Sequence, residues 1–218
     1  MAAKYRIGID IGGTFTDGTL IDTTTGDPDT ITSLGQNAES MGFHYVDATV
    51  AGSSKQVRER DVLVMAGGRR EDFDTCADIF AAFARESYYL GPAGSGARMK
   101  LVTNLVLGLN RAVLAEALAF AASLGFDPAT TLGILKSSSS YSRVMDIKGQ
   151  KMLNADYSVE ARLSQHLKDV RLMLEAGERS GARLPLSKLH RELLEEAENE
   201  GWGDSDNSAI LEVFRRRP

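Results

Sequence analysis

Apolar residues in the front part of the chain recur at two spacings, every second residue in short runs and every third or fourth residue in longer ones. Alternation predicts half-buried strands, whereas the wider spacing predicts helices that bury one face. The strand pattern occurs at residues 5–11, 19–22, 43–47, 61–66 and 88–90, and the helix pattern at 31–41 and 73–85. Glycine or proline follows several of these segments and marks their ends.

The remaining chain has helical spacing almost throughout. Residues 95–124 contain no proline and only Gly108 as an internal breaker, and they carry two apolar stripes. The first stripe consists of Met99, Val102, Val106, Leu109, Val113, Ala117 and Phe120, and the second mainly of Leu101, Leu105, Leu107 and Leu114. A helix that is apolar nearly all round is expected in the middle of a fold. Asp127-Pro128 predicts the start of the next helix, and further helices are predicted at 159–179, 186–199 and 206–215.

These patterns predict a mainly α protein with a small α/β front part. Three segments differ in their residue composition and apolar pattern. Residues 1–26, rich in Gly and Thr, predict a β-hairpin leader, and residues 27–94 a small α/β segment. Residues 95–218 predict an all-helical domain built on one long central helix.

Composition narrows the class of protein. The chain has 218 residues and a net charge of -5, and its basic residues do not gather in a stripe, so we expect no nucleic-acid partner. Asp10 interrupts the first apolar run, and the most apolar stretch carries Glu116 and is short for a membrane span. The single Cys76 excludes an intrachain disulfide and suits a reducing cytoplasm, where we expect it to be buried. The three histidines show no metal-ligand spacing, and we expect them at the surface or at strand edges.

One lysine stands out as a candidate for chemistry. Lys100 lies among Met99, Leu101 and Val102, and Asn104 follows four residues later on the same helix face. Burial disfavours the charged form of a lysine, and such a group can serve as a general acid or base. Pairing with an acidic residue of a neighbouring helix is the alternative, and spacing alone leaves both open.

Residues 91–104 contain Gly94, Gly96, Lys100 and Asn104 in the register G-x-G-x-x-x-K-x-x-x-N. This segment resembles the signature of the 3-hydroxyisobutyrate dehydrogenase family of β-hydroxyacid dehydrogenases. Four further segments resemble that family in its order, and together they cover roughly residues 20–215. They are residues 21–28, similar to D-x-S-T-x-x-P, residues 47–53, similar to D-A-P-V-S-G-G, the strand at 64–68 and the L-K-D triplet at 167–169.

The resemblance implies an oxidoreductase that passes a hydride from a small β-hydroxy acid to NAD or NADP. It assigns catalysis to Lys100 and Asn104 and substrate carboxylate binding to the backbone amides of Ala51, Gly52 and Ser53. Cofactor contacts are assigned to Thr24, Thr25 and Lys168, and no metal is implied. It also implies a helical domain of the 6-phosphogluconate dehydrogenase C-terminal type that makes the subunit interface, hence a homodimer or larger oligomer.

The sequence departs from the resembled family in two ways. The substrate segment has Thr49, Ala51 and Ser53 where the family has Pro, Ser and Gly, which suggests a different β-hydroxy acid. No G-x-G-x-x-G turn occurs in the sequence, so we expect a truncated dehydrogenase without its dinucleotide-binding domain and with little activity alone.

Residues 7–17 resemble the first phosphate-binding turn of the hydantoinase A and oxoprolinase family. This resemblance suggests a leader of foreign type and, as one alternative function, ATP binding. A non-enzymatic, homo-oligomeric binding or assembly module is the other alternative to the dehydrogenase.

Overall fold

The computed structural model describes residues 6–12 and 15–215. The chain divides into two compact units, residues 1–103 and 104–218. The boundary falls within one long helix, α5 (Ser95–Ser123), which contributes to both.

The first unit contains a five-stranded sheet in the order β1-β2-β3-β4-β5. Its strands are β1 (Arg6–Gly12), β2 (Phe15–Asp22), β3 (His44–Ala51), β4 (Leu63–Gly68) and β5 (Glu86–Tyr89). Strands β1 and β2 pair antiparallel. Strand β2 then runs parallel to β3, so the hairpin belongs to the same sheet as the later strands. Parallel neighbours place the carboxyl ends of β2 and β3 at one edge of the sheet, where open α/β sheets bind ligands.

Four helices complete the first unit before α5 begins. They are α1 (Pro28–Ser40), α2 (Ser54–Arg58), α3 (Arg70–Thr75) and α4 (Ala77–Ala81). Asp27 caps α1 by accepting a hydrogen bond from the Thr30 N–H. The single helix predicted at 73–85 is instead the pair α3 and α4, because the backbone turns at Cys76, where ψ is 0°. Cys76 itself is buried, as expected, in a cluster with Val46, Val64 and Phe80.

Helix α5 has the predicted length, but its burial differs from the prediction. The stripe that includes Val102, Val113 and Phe120 is exposed to 56%, 61% and 63%. The buried face carries Leu101 and Leu114 of the second predicted stripe together with small or polar residues, among them Asn104, Arg111 and Ala115. Apolarity all round therefore does not mean burial all round in the single chain. By length and composition alone α5 is apolar enough to cross a membrane, a property that core helices share.

The second unit is helical in the residues that the structure describes. Its helices after α5 are α6 (Pro128–Ser137), α7 (Arg143–Leu153), α8 (Leu163–Ser180), α9 (Pro185–Ala197) and α10 (Leu211–Phe214), with a π-helical segment at Glu198–Trp202 and a 3-10 turn at Asn207–Ile210. Asp127 caps α6, as predicted. Helix α7 was not predicted, because Lys148 and Gly149 interrupt the apolar residues Val144, Met145 and Met152 on its buried face.

A buried ion pair ties the end of the second unit together. The ammonium of Lys148 lies 2.9 Å from each carboxylate oxygen of Asp206. Asp206 also accepts hydrogen bonds from the Ser208 hydroxyl and the Ala161 N–H. Burial favours the neutral acid, but these hydrogen bonds outweigh it and lower the pKa of Asp206 to about 2.

Candidate active site

The start of α5 is fixed by a buried carboxylate. Asp47 accepts hydrogen bonds of 2.9 Å from the N–H groups of Gly94 and Ala97. A Cβ on Gly96 would lie 2.4 Å from the Met65 carbonyl oxygen, and one on Gly67 would lie 2.5 Å from the Asp47 carboxylate. Burial raises the pKa of Asp47, although the hydrogen bonds from Ala97 and Gly94 lower it. The glycines of the predicted signature therefore permit close contact between α5 and the sheet.

Lys100 lies one turn into α5 and reaches back to the sheet. Its ammonium donates a hydrogen bond of 2.8 Å to the carbonyl oxygen of Val50. The sequence suggested a fully buried side chain, but in the structure Lys100 is half-buried. Val50 directly precedes residues 51–53, whose N–H groups are expected to bind the substrate carboxylate, so Lys100 lies at the carboxyl end of β3.

The substrate segment forms a tight turn into α2. Gly52 has a φ of +146°, and a Cβ there would lie 2.5 Å from a Val62 methyl carbon. The Ser53 N–H donates to the Gln56 side chain at 2.9 Å, while the Ser53 hydroxyl accepts from the Gln56 N–H in a capping box. One of the three N–H groups expected to bind a carboxylate is therefore already engaged, and an anion would have to displace Gln56 to use it.

Thr24 and Thr25 follow β2 at the same edge of the sheet. The Thr24 N–H donates a hydrogen bond of 2.8 Å to Asp22. The other Asp22 oxygen accepts from the Tyr45 hydroxyl at 2.9 Å. This turn is thus held in place by a buried acid that the sequence analysis did not single out.

In the second unit, Asn104 is buried and donates a hydrogen bond of 3.0 Å from Nδ2 to Asp169 on α8. This bond fixes the orientation of the Asn104 amide, whose oxygen remains an acceptor. Lys168, the predicted cofactor contact, is half exposed, and its ammonium lies 3.9 Å from Asp169. Asp169 entered the sequence analysis only as the last letter of the L-K-D triplet.

A pair of histidines lies in the core of the second unit, contrary to the expectation of surface positions. The ring centroids of His166 and His190 are 5.2 Å apart, and both residues are buried. Gly108 of α5 permits this packing, because a Cβ there would lie 2.3 Å from His166 Nε2 and 2.7 Å from His190 Cε1. Helical spacing could have found them, since Leu163, His166 and Val170 share the buried face of α8.

A buried arginine accompanies the histidine pair. Arg111 is 2% exposed, and burial lowers its pKa to about 10, an effect that Asp206 partly opposes. Burial, together with the positive charge of Arg111, lowers the pKa of His190 to about 4. His190 is therefore neutral at physiological pH. Within the described residues, no group of three or more His, Cys, Asp or Glu side chains could hold a metal ion.

Comparison with known families now decides the class of protein. Residues 94–214 match the family model described as NAD-binding of NADP-dependent 3-hydroxyisobutyrate dehydrogenase. The chain belongs to the 3-hydroxyisobutyrate dehydrogenase family. Residues 12–91 match the NAD binding domain of 6-phosphogluconate dehydrogenase. NAD(P) is the cofactor of this family.

Individual relatives agree with this placement. The chain is 29% identical over 198 residues to 2-(hydroxymethyl)glutarate dehydrogenase of Eubacterium barkeri, covering 90% of this chain and 66% of that protein. It is also 29% identical to cytokine-like nuclear factor N-PAC of Homo sapiens, covering 89% of this chain and 35% of that protein. A solved structure of 3-hydroxyisobutyrate dehydrogenase from Salmonella typhimurium has the same fold, with a TM-score of 0.85 and 22% identity, over 90% of this chain and 69% of that chain.

These matches correct two expectations from the sequence. The expectation that the chain lacks a dinucleotide-binding domain is not supported, because residues 12–91 match the family model of such a domain. The resemblance of residues 7–17 to the hydantoinase A family is not supported, since the dehydrogenase match begins at residue 12. Of that segment, residues 13 and 14 lie outside the described residues.

Pyrophosphate binding needs a glycine turn whose backbone is open to the ligand. Some glycines of the first unit lie close to protein atoms: an added Cβ would lie 2.5 Å from Val62 at Gly52 and 2.2 Å from Thr32 at Gly94. Gly26, which precedes α1, has only ordinary contact, since its added Cβ would lie 3.5 Å from Ile31.

Proposed function

We propose that this chain carries the acid–base and substrate-binding part of an NAD(P)-dependent oxidoreductase that acts on a small β-hydroxy acid. The observation that carries the proposal is the hydrogen bond of 2.8 Å from Lys100 Nζ to the Val50 carbonyl oxygen. It places an ionisable amine beside the turn that resembles the family's substrate segment. That turn lies at the carboxyl edge of the parallel strands β2 and β3, the usual ligand edge of such sheets.

In this proposal Lys100 exchanges the proton of the substrate hydroxyl, and NAD(P) supplies the hydride acceptor of the family. As a neutral amine, Lys100 accepts the hydroxyl proton when the alcohol is oxidised, and as an ammonium it returns a proton to the carbonyl oxygen in the reverse direction. Val50 holds one donor position of Lys100 in the charged form. Asn104, its amide oriented by Asp169, serves as a second polar contact for the substrate.

We assign the substrate carboxylate to the backbone N–H groups of Ala51, Gly52 and Ser53. Gly52 has a backbone conformation, with φ of +146°, that favours glycine, and Ser53 is the N-cap of α2. Thr24 and Thr25 are proposed to contact the cofactor. Turnover by the chain alone should be low, because its sequence contains no G-x-G-x-x-G turn for the pyrophosphate.

The test is whether the full chain oxidises any of a panel of small β-hydroxy acids. The reaction is monitored through the absorbance of the NADH or NADPH that forms. We expect Lys100→Met to lower the rate by about 10²–10⁴-fold, the usual contribution of a general acid or base. Lys55→Met is the matched control, because Lys55 is exposed on α2. Equal rates in the two variants would refute the role of Lys100. No turnover together with no thermal shift by cofactor or hydroxy acid would refute the oxidoreductase proposal.

A second candidate function is a non-enzymatic, homo-oligomeric binding or assembly module. Two observations favour it: the exposed apolar stripe of α5, including Val113 and Phe120, and relatives whose name is that of a nuclear factor rather than a dehydrogenase. We propose that a second copy of the chain covers this stripe. Phe120→Asp should then reduce the mass measured by light scattering to that of one chain. An unchanged mass would exclude this stripe as the interface.

A further inference from the structure

We propose that Thr49 is a positioning residue for Lys100, acting through the backbone of α5. Thr49 is fully buried in the middle of β3, where it lies opposite Met65 of β4. Its hydroxyl lies 2.9 Å from the Gly96 carbonyl oxygen and 3.2 Å from the Met65 carbonyl oxygen. A single hydroxyl thus bridges the strand β4 and the first turn of the helix that carries Lys100.

The acceptor on α5 is directly linked to Lys100. In an α-helix, each N–H donates to the carbonyl four residues earlier. Gly96 is four residues before Lys100 within α5, so its carbonyl oxygen accepts the Lys100 N–H. The Thr49 hydroxyl and the backbone of Lys100 therefore meet at one oxygen atom, and any movement of that turn moves the lysine.

The neighbouring residue of the same strand holds the other end of the lysine. The Val50 carbonyl accepts the hydrogen bond from Lys100 Nζ at 2.8 Å. Consecutive residues of β3 thus fix the main chain and the ammonium of Lys100, Thr49 through Gly96 and Val50 directly. Two anchors of this kind reduce the freedom of a long side chain more than either one alone.

The Thr49 hydroxyl adds a second polar link to the one that Asp47 makes between β3 and the start of α5. A Cβ on Gly96 would lie 2.4 Å from the Met65 carbonyl oxygen, so strand and helix touch backbone to backbone. The resembled family segment has proline at this position, which carries no hydroxyl and cannot make the bridge. Thr49 therefore marks a feature of this chain rather than of the segment it resembles.

The experiment compares Thr49→Val, which keeps a branched side chain without the hydroxyl, with Thr49→Ser, which keeps the hydroxyl. Thr75→Val is the control, because the Thr75 hydroxyl bonds only to Glu71 within the exposed helix α3. Amide hydrogen exchange of Lys100 is measured by NMR on the full chain. We expect about tenfold faster exchange in Thr49→Val, the factor that corresponds to one ordinary hydrogen bond, and wild-type exchange in Thr49→Ser and Thr75→Val.

A second readout follows the side chain itself. The Cε signal of Lys100 in lysine-labelled protein, assigned by its loss in Lys100→Met, is titrated with pH. We expect Thr49→Val to change the titration midpoint and Thr49→Ser to restore it. Unchanged exchange and an unchanged midpoint in Thr49→Val would overturn the proposal. So would a failure of Thr49→Ser to restore wild-type behaviour.

The role of Thr49 in turnover rests on the proposed function, and the two can fail separately. If wild type turns over, Thr49→Val should lower kcat more than it raises KM, since the lysine is misplaced while the carboxylate turn is intact. Equal kcat in wild type and Thr49→Val would refute positioning. If wild type shows neither turnover nor ligand binding, the exchange and titration data still decide whether Thr49 positions Lys100, while the oxidoreductase proposal falls.

Discussion

Lys148 and Asp206 form an ion pair in which the ammonium lies 2.9 Å from both carboxylate oxygens, inside the second unit. The carboxylate is inaccessible to solvent, and Glu160 lies 3.0 Å from the same ammonium. Asp206 also accepts hydrogen bonds from the N–H groups of residues 160 and 161, which precede α8. Asp206 itself precedes the 3-10 turn at Asn207–Ile210, so its side chain connects that turn, α7 and the segment that leads into α8.

Removing one partner of this pair should destabilise the protein strongly. Asp206→Asn leaves the Lys148 ammonium buried against a neutral amide, and we expect a loss of about 3–5 kcal/mol in the free energy of unfolding. Urea unfolding followed by circular dichroism measures it. Asp204→Asn is the matched control, because Asp204 is 93% exposed in its contact with Arg162 and should change stability by less than about 1 kcal/mol. Equal losses in the two variants would contradict the structural role of Asp206.

The same carboxylate predicts a loss of stability in acid. The pKa of Asp206 is about 2 in the folded protein, below its ordinary value of 3.8. A depressed folded pKa stabilises the native state above pH 3.8, and this contribution is lost as the pH falls from 3.8 through about 2. It amounts to about 2 kcal/mol. Unfolding free energies of wild type and Asp206→Asn should therefore converge in this pH window, and parallel curves would refute the assignment.

We expect alanine at position 108 to destabilise the protein, although helix propensity alone favours alanine over glycine. Alanine favours helices over glycine by about 1 kcal/mol, but a Cβ at position 108 would lie 2.3 Å from His166 Nε2. We expect Gly108→Ala to destabilise the protein by about 1–3 kcal/mol through overpacking. Gly133→Ala in α6 is the control, because no atom lies within 4 Å of its added Cβ, and it should stabilise. If Gly108→Ala were stabilising, the two histidines would have to move aside at little cost, which would contradict the prediction.

The sequence predicted most elements but misplaced much of the polar interior. Apolar spacing located β3, α1 and α5, because each depends on local periodicity. It missed α7, whose buried face includes Lys148 and Gly149, since the partner that makes burial of a charge possible lies 58 residues away at Asp206. Lys100 was found through its signature, although its observed contact is the backbone oxygen of Val50, which no side-chain pattern could indicate.

The exposed stripe of α5 shows a second limit of sequence reasoning. Val102, Val113 and Phe120 are as apolar as residues of a core, and periodicity assigns them to one. Burial of the opposite face, with Asn104 and Arg111, depends on polar partners elsewhere in the chain, among them Asp169 for Asn104. Composition cannot tell which apolar stripe faces the interior of one chain when both stripes qualify.

The positive charge of Arg111 should have a measurable effect on the pKa of His190. Burial and the nearby guanidinium lower the pKa of His190 to about 4 from 6.5, so the unfolded state binds a proton that the folded state does not between these values. Stability should therefore fall as the pH falls from 6.5 to about 4. Arg111→Met removes the positive charge, and the His190 pKa should rise. Imidazole nitrogen shifts followed by NMR against pH measure this pKa. A His190 pKa that does not rise in Arg111→Met would mean that burial alone keeps this histidine neutral.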